Sequence, residues 1–164
     1  MTWGIPTTLF LQFHVFISLV AIAAGFIVLY GLLKGHFSGA WTVLFLVTTI
    51  LTSITGFPLE PFGVTPGRVL GVILLVLMAL AIVALYGFHL AGSWRWVYVA
   101  SATAALYLNV FVAVVQSFQK LSFLHPLAPT GSEPPFLVTQ LALLVLFVAL
   151  GVLATKRFHP APRT

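Results

Sequence analysis

Seven polar side chains, His14, Ser18, Thr52, Thr55, Asn109, Gln116 and Gln140, interrupt runs of otherwise apolar sequence. An imidazole, three hydroxyls and three carboxamides can hydrogen-bond one another across helices or hold a small molecule such as a quinone or a lipid headgroup. Of the set, His14 is the strongest functional candidate, because an ionisable ring inside an apolar span is costly unless something uses it. His125, in a Pro-rich loop, is the histidine that could meet it, which makes His14 and His125 the candidate metal pair, with Glu60 available to orient one of them. A haem b held between two histidines would need that pair, or His36 with His89, and no other cofactor is implied by the residues present.

Catalysis is poorly supplied. A hydrolytic or acid–base site needs a nucleophile beside a base, paired carboxylates or a metal cluster. The chain has no Asp and two Glu, Glu60 and Glu133, both between the apolar runs. With no cysteine it can form no disulfide, thiolate nucleophile or Cys-ligated iron–sulfur site. No Gly-rich phosphate loop, H-E-x-x-H or nucleophile elbow is present. The sequence therefore carries no catalytic signature, and a cation-coupled transporter would ordinarily place a carboxylate inside a span, where none occurs.

The elements that position these residues are set by composition. Hydrophobic residues make up 61% of the 164 and charged residues 5%, against about 25% charged in soluble domains. Apolar runs follow one another at 7–33, 40–57, 69–91, 94–119 and 136–155, each near the length of about 20 residues that crosses a bilayer as a helix. The fold class is accordingly all-α: a polytopic membrane bundle of five transmembrane helices, with residues 1–155 as one transmembrane domain and 156–164 as a short basic tail. The segment 120–135, rich in proline, is expected to be an ordered, non-helical cap.

The formal charge of +5 does not indicate nucleic acid, because the basic residues are scattered and form no stripe for a phosphate backbone. It orients the chain instead. With five spans and the carboxyl terminus inside, Lys34, Arg95, Lys156, Arg157 and Arg163 are cytoplasmic and Arg68 and Lys120 lie outside, as the positive-inside rule favours. Trp41 and Trp94-Arg95-Trp96 then sit at the inner interface.

In this arrangement His14 lies about 10 Å below the outer start of the first helix at 1.5 Å per residue. Asn109, Gln116, Thr52, Thr55 and Gln140 also fall in the outer half. They occupy coherent faces, His14, Ser18, Ala21 and Gly25 on the first helix and Ser101, Ala105, Asn109 and Gln116 on the fourth. His14, Asn109 and Gln116 are expected to face one another or a shared cavity.

Several stretches together, His14-Val-Phe-Ile-Ser18 with Gly25 and Tyr30-Gly31, Thr55-Gly56-Phe57, Trp94-Arg95-Trp96-Val97-Tyr98, Asn109-Val-Phe with Gln116, and Ser132-Glu133-Pro134-Pro135-Phe136, resemble a group of small uncharacterised bacterial membrane proteins. The resemblance implies a bacterial inner-membrane location and a single domain, and no activity. The functional expectation is an accessory subunit or a binder of a small hydrophobic molecule in the outer half of the bundle, with a haem b electron-transfer protein as the alternative. The bilayer is the expected partner, together with a larger membrane complex or a second copy of the chain.

Overall fold

The computed structural model describes residues 2, 4–59 and 63–159. Five long helices account for nearly all of them: α1 Thr7–Leu33, α2 Gly39–Gly56, α3 Pro66–Ile82, α4 Trp94–Lys120 and α5 Pro134–Arg157. Each, with α3 extended through a π-helical turn at Val83–Gly87, is long and apolar enough to cross a membrane. No strand occurs among the described residues.

Proline and glycine set the boundaries. Pro66 occupies the first turn of α3, where its missing N–H costs nothing, and the Thr65 hydroxyl caps that helix by accepting from Arg68 N. At the end of α1, Gly35 takes a φ of +73°, and His36 N donates to Gly31 O at 2.8 Å, which closes the helix. The third apolar run extends in sequence to Ala91, but the helix stops at Gly87. The backbone widens there, with Phe88 N bonded to Val83 O and Leu90 N to Ala84 O, and His89 and Leu90 enter the left-handed region at φ 49° and 61°. Burial of Leu90 holds that strained turn in place.

Helices α1 to α4 form an up-and-down ring in which each packs on the next and α4 closes back on α1, while α5 lies against α4 and α1 from outside. Of the five, α5 is the least buried. The start of α1, the α2–α3 and α4–α5 connections, and the ends attached to them share what we term the amino face. The remaining two connections and the end of α5 form the carboxyl face.

Apolar burial is concentrated toward the carboxyl face, around Leu32, Phe45, Met78, Leu85, Tyr98 and Leu106. Tyr98 anchors it, with its phenol 3.2 Å from the Thr42 hydroxyl and its ring against Phe37 and Phe158. Phe158 is fully buried and α5 runs to Arg157. Lys156 and Arg157 thus belong to the last turn of α5, and the aromatic side chain of Phe158 lies on the core. Residues 160–164, including Arg163, lie outside the described residues, as does Glu60.

The connection from Lys120 to Glu133 has one 3-10 turn, His125–Leu127, and is otherwise non-helical. Phe118 and Phe136 meet edge-to-face across its base at 5.5 Å. Its apolar side chains Leu121, Phe123 and Leu127 are exposed, and Ala128 is the one residue of the turn region that is buried. The loop thus presents its apolar groups outward, as a segment lying in a membrane interface would.

Candidate functional site

The polar residues of the amino-face half are paired mainly through α2. His14 Nδ1 on α1 lies 2.8 Å from Thr55 Oγ1, and the Thr55 hydroxyl donates to Leu51 O at 2.7 Å. A hydroxyl has a single proton to give. With that proton on Leu51 O, the Thr55 oxygen accepts from His14 Nδ1–H, and the neutral ring keeps its lone pair on Nε2. The ring also lies close to Gly56, where a Cβ would meet His14 Cε1 in ordinary van der Waals contact at 3.5 Å.

Nearly two turns deeper along α2, Asn109 on α4 donates from Nδ2 to Thr49 Oγ1 at 3.3 Å, with both residues buried. Gln140 on α5 donates from Nε2 to Phe111 O at 3.3 Å, while its Oε1 is buried without a partner. Ser18 donates back to His14 O at 2.7 Å. Thr52, on the α2 face between Thr49 and Thr55, has a buried hydroxyl with no partner.

His14 and Asn109 are therefore joined to the same threonine face of α2, at Thr55 and Thr49, rather than to each other. Gln116 is exposed and stands apart from these pairs. The difference is one of height rather than of face: only about 20° of rotation separates the two, but Gln116 lies two turns nearer the end of α4 at Lys120. His125 is exposed in its 3-10 turn, and His36 and His89 are exposed on the carboxyl face, so no second histidine accompanies His14 in the bundle. No group of three or more His, Cys, Asp or Glu suited to a metal ion occurs among the described residues.

At the amino face, Arg68 donates to Phe57 O from Nε and Nη2, at 3.2 and 2.8 Å, and to Gly63 O from Nη1 at 2.6 Å. Its charge organises the α2–α3 connection. Glu133, the residue before α5, accepts from the Thr130 hydroxyl at 2.8 Å and from the Thr130 and Ser132 amides at 3.0 Å. Desolvation raises its pKa, but these donors outweigh that effect, the Thr130 hydroxyl first, and hold the carboxyl down to about 2.

A second feature is a groove of about 660 Å³ between α4 and α5, opening at the carboxyl face. Ala100 and Ala104 keep it open on the α4 side, and Tyr107, Phe147 and Val148 wall its deep end. At its mouth stand Arg95, Lys156 and His159. Thr103, 6% exposed, is among its lining residues, and its hydroxyl is buried. Sequence reading concentrated on the other side of α4, the Ser101, Ala105 and Asn109 stripe, which is buried against the ring. The groove was signalled by small residues at 100 and 104 on α4 and at Gly151 on α5, a helix-spaced set facing a helix with few buried positions. No family model, curated protein or solved structure matches this chain.

Proposed function

We propose that this chain is a non-enzymatic, multi-pass protein of the bacterial inner membrane that binds a small hydrophobic molecule in the groove between α4 and α5. The observation that carries this reading is the groove itself. At about 660 Å³ it falls in the range of small-molecule sites, and its walls are apolar. The amino-face cluster serves this function indirectly, by fixing α1, α2 and α4 so that α5 has a rigid wall to stand away from. The basic residues on the carboxyl face, Lys34, Arg95, Lys156 and Arg157, support a cytoplasmic carboxyl face and a periplasmic amino terminus. The exposed surface of α5 gives a larger membrane complex, or a second copy, room to pack.

One observation supports haem b as a second reading: His14 Nε2 carries its lone pair and has no hydrogen-bond partner among the described residues. The experiment is to purify the protein from native membranes, extract it with organic solvent and identify what is carried along. Ala104→Phe should fill the groove and release the molecule from a protein that still melts cooperatively. Unchanged content in that variant overturns the reading. A Soret band lost in His14→Ala would replace it with the haem reading.

A further inference from the structure

The groove's mouth and its walls call for different chemistries in one ligand. The walls run along α4 from Trp96 to Tyr107, about 16 Å at 1.5 Å per residue. That is the length of an extended hydrocarbon tail rather than of a compact ring. At the mouth, Arg95 comes from the first turn of α4, Lys156 from the last turn of α5, and His159 from the chain just beyond it. Side chains from α4, from α5 and from the chain just beyond α5 thus converge on one opening.

Nothing described neutralises them. The only acidic residue among the described residues is Glu133, at the opposite end of α5, about 36 Å away along a helix of 24 residues. The amino terminus of α4 adds to the field. It has no acidic residue in its first turn and no side-chain cap, so its helix dipole also favours an anion. The exposed indole of Trp96 stands on the rim, at the depth where such rings settle between headgroups and tails.

We propose that the groove binds an anionic phospholipid, its phosphate held by Arg95, Lys156 and His159 and one acyl chain laid between α4 and α5. The inference rests on the groove being the binding place argued above and adds the chemical class of its occupant. A lipid enters sideways from the bilayer, which suits a groove formed by the most lipid-exposed helix. Basic pockets between helices on the cytoplasmic side are the places where polyanionic lipid heads dock. With the two cations Arg95 and Lys156 beside the His159 imidazole, and no carboxylate among the described residues at the mouth, a lipid bearing two phosphates is matched better than one bearing one.

The test uses the whole protein in nanodiscs of phosphatidylcholine doped with cardiolipin, released into detergent and examined by native mass spectrometry for retained lipid. Cardiolipin should be retained in preference to phosphatidylcholine. The double variant Arg95→Gln, Lys156→Gln should weaken it roughly five-fold per charge, about 30-fold in all, from the typical worth of a basic residue at a membrane surface. Lys34→Gln, a charge on the same face outside the groove, should leave retention unchanged. Equal loss in Lys34→Gln would mean general surface attraction, and equal retention of both lipids would mean an annular lipid only; either overturns the proposal. If Ala104→Phe abolishes retention while the double variant does not, the anionic class fails and the groove stands. If Ala104→Phe retains cardiolipin as the parent does, the binding place itself is wrong.

Discussion

The imidazole of His14 donates from Nδ1 to the hydroxyl of Thr55, 2.8 Å away on the neighbouring helix. Because Thr55 passes its own proton to Leu51 O, the contact links a side chain of α1 to the backbone of α2. Between membrane helices there is no strong hydrophobic drive, since lipid tails are as apolar as the side chains, and association relies on close packing and bonds of this kind. Thr55→Val leaves the Nδ1–H unanswered and should cost about 1 to 2 kcal/mol, toward the upper end for such bonds. His14→Phe with Thr55→Val should cost less than the two single changes added together. Thermal unfolding in detergent reads all three, and strict additivity would show that the bond contributes nothing.

Arg68 should be irreplaceable by lysine. Its fork spans Phe57 O and Gly63 O, whereas an ammonium is a point charge that cannot hold both in the same geometry. Arg68→Lys is expected to lose roughly 1 to 2 kcal/mol, toward the low end for hydrogen bonds from charged groups because the side chain is only half-buried. The amides of Phe57 and Leu59 should exchange faster with deuterium. Unaltered exchange would show that the connection is ordered without the guanidinium.

The five helices were legible because apolar length and proline placement are local signals: Thr7–Leu33 agrees with its run end for end, and the others differ by a few residues at their ends, apart from the π-helical stop. That exception, at Gly87, depends on Leu90 finding a buried seat, which is a tertiary fact. The stripe of α4 that carries Ser101 and Asn109 is buried. The partners of the polar residues were not legible. The pairing of His14 with Thr55 and of Asn109 with Thr49 depends on helix rotation, and rotation is set by packing such as that at Gly25. The groove was hidden for the opposite reason: it exists where α5 fails to pack closely, and a one-dimensional pattern of apolar residues looks the same on a lipid face and on a groove wall.

Reporter fusions after Gly39 and after Thr164 should place both positions in the cytoplasm. Two antiparallel intervals separate the end of α1 from the end of α5, so an even number of crossings joins them. A periplasmic signal at either would remove the orientation argued from Lys34, Arg95, Lys156 and Arg157.

Gly25 is where α1 approaches the ring most closely. A Cβ there would stand 2.6 Å from Leu106 Cδ1 and 2.9 Å from Phe45 Cε2, and both of those residues are 1% exposed. The gaps around them are too small to hold a water, so Gly25→Ala should cost about 1 to 3 kcal/mol, the usual penalty for overpacking. Leu106→Ala in the same chain should recover part of the loss by opening the volume the methyl needs. Gly67→Ala, where an added Cβ meets nothing within 4 Å and the φ is not left-handed, should be close to neutral. Equal melting temperatures for the Gly25 and Gly67 variants would show that α1 is not pinned at this point.

The Thr130–Glu133 turn makes the start of α5 sensitive to acid. Desolvation works against the ionised Glu133 carboxyl, but the Thr130 hydroxyl and the Thr130, Glu133 and Ser132 amides prevail and lower it to about 2 from an ordinary value of 4.5. A group depressed on folding contributes its stabilisation above its unfolded pKa and loses it as pH falls through the folded one. The turn should therefore hold unchanged from neutral pH down to about 4.5, and loosen progressively between there and about 2 as the carboxylate gains a proton. Protonation also removes a negative charge from the amino end of α5, where the helix dipole favours one. Thr130→Val deletes the hydroxyl donor and should raise the Glu133 pKa and shift the loosening to higher pH. Carboxyl chemical shifts of Glu133 followed through an acid titration measure both quantities. A midpoint near 4.5 in the parent protein would mean that the carboxylate is solvated rather than held by the turn.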